Sequence, residues 1–108
     1  MTLIKSALLL STLALTLAPF NARAETKNIY EDAMDKMHKD MMAVKPTGDA
    51  DVDFVRGMIS HHQGAIDMAK VVLKEGKDPE IKKMAEGIVA AQESEIKHMN
   101  DWLKAHQE

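Results

Sequence analysis

Residues 51–75 constrain the fold most tightly, because they carry a helical period, uninterrupted by proline, that places a histidine on the apolar face. Turning about 100° per residue sets Phe54, Val55, Met58, His62, Ala65, Ile66, Ala69, Val72 and Leu73 on one side of a helix, with His61 and Met68 along its edge. His62 is therefore directed into a core. Burying an imidazole costs free energy unless its ring nitrogens are partnered, so the rest of the chain must supply an acceptor, a donor or a metal ion opposite it.

The amount of core available is small. Lys5, the apolar run Ala7 to Leu17 and the small residues around Ala22-Arg23-Ala24 form an export signal, with cleavage expected near Ala24. The run is shorter than the roughly 20 residues a membrane helix needs. Residues 1–24 are thus read as a signal peptide and 25–108 as one helical domain, exported to the periplasm or secreted. Small exported domains often rely on disulfides, but this chain has no cysteine, so helix packing, assembly or a ligand must stabilise it. Methionine and histidine remain as soft and borderline metal ligands. Without Lys5 and Arg23 the 14 basic side chains become 12 against 17 acidic ones, and no basic cluster is present, so nucleic acid is not an expected partner.

Two further helices flank the central one. The first is expected from Asn28, with Glu31 three residues on in a variant of the capping box, to Val44, before Pro46 and Gly48. Tyr30, Met34, Met37, His38 and Met41 form its expected inward stripe, with Met42 at the edge. Methionine fills irregular core gaps well, but a stripe that lacks leucine and includes a histidine also suits a ligand surface. Asp49, Asp51 and Asp53 alternate as in the start of a calcium loop. Phe54 stands where that loop needs glycine and Ser60 where it needs glutamate, so these aspartates are assigned to the turn and the next helix N-terminus. The second helix should run from Asp51 to Glu75 and stop at Gly76. It contains Gly57 and Gly64, each costing about 1 kcal/mol relative to alanine, so a compensating benefit such as close helix approach is expected. Gly64, however, lies outside the apolar stripe, and nothing in the sequence accounts for it.

Asp78-Pro79 predicts the start of the third helix, which should continue to Ala105 with Ile81, Met84, Ala85, Ile88, Val89, Ile96, Met99, Trp102 and Leu103 on its apolar face. Gln92 and Glu95 fall on that same face and are candidate partners for the histidines. Glu95, His98 and Met99 lie three and four residues apart and can approach one site, with His98 toward the rim. Three amphipathic helices with short loops predict an all-α antiparallel bundle, either three-stranded or completed by a second copy in a homodimer. The methionine stripe of the first helix is the expected dimer contact.

Phe54, Met58, the run H-H-Q-G-A-I-D-M-A from His61 to Ala69, then Ala85, Ile88, Q-x-x-E-I from Gln92 to Ile96, Met99 and Trp102-Leu103 together carry a family likeness. Over Asp51 to Leu103 the chain resembles the CopM-like family, exported ferritin-like helical domains catalogued as a domain of unknown function. The resemblance implies copper binding in the periplasm, with silver a further expected ion. It also implies that Met58, His61, His62, Glu95 and Met99 touch or support the metal.

The residue types point to the same metal, because thioethers select cuprous ion and imidazoles accept either copper oxidation state. The expected site joins Met58, His61 and His62, with further ligands from Met34, Met37, His38 and Met41, and with Met68 and His98 beside them. The expected function is copper sequestration or relay in copper homeostasis or resistance, which in a relay includes a protein that receives the metal. One alternative is a structural or interaction module whose histidines hydrogen-bond Gln92 and Glu95. A ferritin-like di-iron protein is the other, although only Glu95-Ile96-Lys97-His98 matches the Glu-x-x-His motif it needs twice. With no nucleophile beside a base, no phosphate-binding glycine loop and no nicotinamide fingerprint, an enzyme is not expected.

Overall fold

The computed structural model describes residues 25–106 as three helices, α1 (Glu31–Ala43), α2 (Ala50–Glu75) and α3 (Pro79–His106). The expected signal peptide lies outside the described residues. Local chemistry explains where α2 and α3 begin. The Asp49 carboxylate accepts the N–H groups of Asp51 and Val52 at 3.0 and 3.1 Å, satisfying two of the donors a helix start leaves unpaired. Asp78 does the same for Glu80 and Ile81, and Pro79 occupies the first helical position as its sequence signal predicts.

The turn between α1 and α2 is held by a second aspartate. Asp53 accepts the N–H and the hydroxyl of Thr47 at 2.8 and 2.6 Å and the N–H of Gly48 at 3.1 Å, while Gly48 adopts the left-handed backbone (φ 88°) that only glycine takes without strain. The Thr47 hydroxyl, then the Thr47 N–H, hold the Asp53 carboxyl below the ordinary carboxylate range, with smaller help from Gly48 and Arg56. A carboxyl depressed by folding contributes stability that is complete above its unfolded pKa and lost as pH falls through the folded one. The melting-temperature gap between wild type and Asp53→Ala should therefore be full at pH 7 and close as the solution is acidified through the carboxylate range, as thermal melts across pH will read.

One boundary and one cap conformation differ from expectation. The first helix begins at Glu31 rather than Asn28, because Asn28 forms a preceding turn in which its side chain accepts the Tyr30 N–H and its carbonyl the Glu31 N–H. Gly76 does terminate α2, yet in extended backbone (φ −71°, ψ 158°), so it acts there without the left-handed conformation for which glycine is usually selected.

α2 and α3 form the expected antiparallel hairpin, and α1 packs on α2 as well, but α1 and α3 do not pack on each other. The central helix thus serves two partners. Its seam with α1 is narrow, and this corrects the predicted inward stripe. The covered or half-covered residues of α1 are Tyr30, Ala33, Met37, Asp40 and Val44, while Met34, His38 and Met41 are turned about one residue's rotation away and exposed. The reason lies on α2. Gly64 is buried beneath Met37, and a Cβ built at Gly64 would stand 2.9 Å from the Met37 Cβ and overlap the rest of that side chain.

The core is thin. Among the described residues, the buried hydrophobics are Ala33, Ile66, Ala69, Ala85 and Leu103, and no large side chain is fully enclosed. An apolar valley of ≈ 350 Å³ remains open above α2, with Tyr30 at one side, Met68 and Val72 on the floor and Ile81, Met84 and Ile88 on α3. These α3 residues lie on the apolar face that the periodicity identifies, but no third helix covers them.

Candidate metal centre

His62 sits at mid-length in α2, on the face turned to α3, and is 9 % exposed. Its Nε2–H donates to the carboxylate of Glu95 across the helix interface. The environments of the pair are unequal. The Glu95 side chain is 60 % exposed and stays hydrated, whereas the other ring nitrogen of His62, Nδ1, is sealed from water and has no hydrogen-bond partner. Of the two candidate partners on the apolar face of α3, Glu95 is the one that pairs with His62.

A cavity of ≈ 360 Å³ opens beside this pair, lined by Phe54, Met58, His62, Glu95, His98 and Met99. Helical spacing assembles it. Phe54, Met58 and His62 are successive i, i+4 positions of α2, and Glu95, His98 and Met99 are the i, i+3, i+4 positions of α3 that the antiparallel hairpin sets opposite. Two thioethers, two imidazoles and a carboxylate thus face one space. Phe54, 65 % exposed, walls the outer end instead of filling a core as its place on the apolar stripe suggested.

The structure separates the remaining predicted ligands from this cavity. His61 is exposed, and its ring lies 6.4 Å from that of His62 at 63°, because adjacent residues diverge by about 100° around a helix. The two rings therefore meet different surroundings, His62 the α2–α3 interface and His61 solvent. Met37 is taken up by Gly64. Met34, His38 and Met41 occupy an exposed flank of α1, and Met68 lies in the apolar valley. Gln92, the other candidate partner, makes no recorded hydrogen bond to a histidine. Among the described residues, no group of three or more histidine, cysteine, aspartate and glutamate side chains comes close enough to hold a metal.

Trp102 was legible as a core position but not as part of the site's surroundings. With Met99, His98 and Phe54 it lines an adjoining depression, while its ring stacks on His106 at 4.0 Å and its carbonyl accepts the His106 Nδ1–H. As the one tryptophan of the chain it is a built-in fluorescence reporter one helical turn from Met99 and His98.

The sequence pattern of a family described as a domain of unknown function (DUF305) matches residues 14–103. The chain belongs to the DUF305 family. That match spans all of α1 and α2 and α3 as far as Leu103, so the cavity and both of its walls are part of the DUF305 region. Over 53 residues the chain is also 43 % identical to the uncharacterized protein L153 of Acanthamoeba polyphaga mimivirus, covering 49 % of this chain and 35 % of that protein. The shared stretch is thus about a third of the viral protein's length.

Proposed function

We propose that this DUF305 chain is a periplasmic copper-binding protein that sequesters or relays cuprous ion at the cavity between α2 and α3. The observation that carries the reading is His62: a buried imidazole with one nitrogen left unpartnered, at the wall of a cavity shared with two thioethers and a second imidazole. Buried polar atoms nearly always find partners, and a metal ion is a partner that this one would accept. The donor chemistry suits a soft monovalent ion, and silver would bind as copper does. The resemblance of H-H-Q-G-A-I-D-M-A and Q-x-x-E-I to the CopM-like copper-binding family supports the same assignment. Met58, His62, His98 and Met99 would hold the ion, and its entry from the Phe54 side would leave α1 in place.

Met34, His38 and Met41 supply a second, shallower locus. They stand at i, i+4 and i+7 on the exposed flank of α1, a ladder of soft donors open to solvent. Competition between residues 25–108 and a chromophoric cuprous chelator tests both parts. Wild type should retain one tightly held equivalent and further weak ones, and a variant carrying Met34→Leu, His38→Leu and Met41→Leu should lose the weak equivalents alone. No competition by folded wild type would remove the copper reading. A second copy laid over the open valley would complete the core, and sedimentation of the metal-free chain should then show a dimer that dissociates on dilution. Among the alternatives, the interaction module draws on that valley, whereas the di-iron reading needs carboxylate clusters that the described residues do not assemble.

A further inference from the structure

We infer that Glu95 is a positioning residue rather than a ligand: it fixes the proton of His62 on Nε2, so that Nδ1 is the nitrogen offered to a soft metal ion. The inference rests on the copper reading above and deepens it. An ionised carboxylate has no hydrogen to give, so the His62 nitrogen that meets Glu95 must be the protonated one. Nδ1 then carries either a lone pair or a second proton. A second proton would leave a buried N–H with no acceptor next to an apolar surface, which native structures rarely tolerate, so Nδ1 carries the lone pair.

The two nitrogens differ in what metal binding would disturb. Ligation through Nε2 would break the bond to Glu95 and displace its proton. Ligation through Nδ1 breaks no hydrogen bond and keeps the carboxylate–imidazole contact as a second layer, the arrangement that fixes ring orientation and raises basicity in metal-bound histidines. Met58, one turn earlier on α2, lines the same cavity as His62 and is the thioether of its own helix there. Glu95 is well suited to the supporting part, because it is largely hydrated and carries its charge on the solvent side of the ring.

Long-range 1H–15N spectra of the metal-free protein should show His62 as the Nε2–H tautomer. Addition of Ag(I), a redox-inert soft probe, should shift Nδ1 and leave the Nε2–H correlation in place. Glu95→Gln, whose amide oxygen still accepts, should preserve that pattern. Glu95→Ala should give mixed tautomers and silver binding weaker by about 10–100-fold, with Trp102 fluorescence following occupancy. An Nδ1–H tautomer in the metal-free protein, loss of Nε2–H on silver binding, or equal loss of affinity in Glu95→Gln and Glu95→Ala would each overturn the inference. An Nε2–H tautomer without any silver binding would instead remove the metal reading and the ligand role of Nδ1 together, leaving tautomer control by Glu95 as a structural fact.

Discussion

Replacing His62 with leucine is expected to weaken cuprous-ion binding by about 100-fold or more while raising the melting temperature of the metal-free protein. The first effect follows from the proposed ligand role of His62, since at metal sites loss of a mere supporting contact already costs about 10–100-fold. The second follows from the burial of Nδ1. A buried nitrogen without a partner costs about 1–3 kcal/mol, and an apolar side chain of similar volume removes that cost. Glu95, being largely exposed, loses its partner to water rather than to an apolar interior, so the substitution leaves no new stranded charge. For a domain of this size each kcal/mol moves the melting temperature by about 4–8 °C, which calorimetry reads directly. Opposite movements of affinity and stability are the signature of a residue kept for chemistry. A leucine variant that melts lower would instead make His62 a structural partner of Glu95 and favour the interaction module. His61→Ala, by contrast, should change neither quantity much, because that ring faces solvent.

Alanine at Gly64 and alanine at Gly57 should act in opposite directions although both are glycines inside one helix. Each gains about 1 kcal/mol of helix propensity. At Gly57 nothing stands within 4 Å of a new Cβ, so the gain is uncompensated and the protein should melt higher. At Gly64 the same methyl group meets Met37, and overpacking of a fitted contact costs about 1–3 kcal/mol, which matches or exceeds the propensity gain. The expected result is a lower melting point with faster amide exchange confined to α1. Adding Met37→Ala to Gly64→Ala should recover part of the loss, a non-additivity that identifies direct contact. Thermal melts of these three variants and of Met37→Ala alone decide it, and a Gly64→Ala protein as stable as Gly57→Ala would show that α1 does not depend on this contact.

How much of this was legible beforehand follows from the range of each interaction. Asp49, Asp78 and Pro79 act on backbone groups two or three residues away, so their composition and spacing sufficed to place the starts of α2 and α3. That Met58, His62, Glu95 and Met99 would face one another was legible because helical period sets them on facing stripes, with His98 at the rim, and the structure brings all five to one cavity. The orientation of α1 was not legible. Its methionines suggested the buried face, yet the face actually covered is organised by Ala33, Met37 and the absence of a side chain at Gly64, a contact between residues far apart in the chain. The H-H pair misled for a related reason. Adjacency in sequence implied a joint site, while helical rotation sends only the second ring into the interface.

Because α2 is the sole bridge between α1 and α3, the exposed donor ladder of α1 and the cavity shared with α3 have no side chain in common. Coupling free energy between two sites requires an element that both of them bias, and here only the continuous helix α2 stands between them. Ions taken up at the two places would therefore fill them non-cooperatively, each according to its own affinity. On the copper reading, the protein would respond in graded proportion to the metal around it, as a buffer does, rather than switching at a threshold.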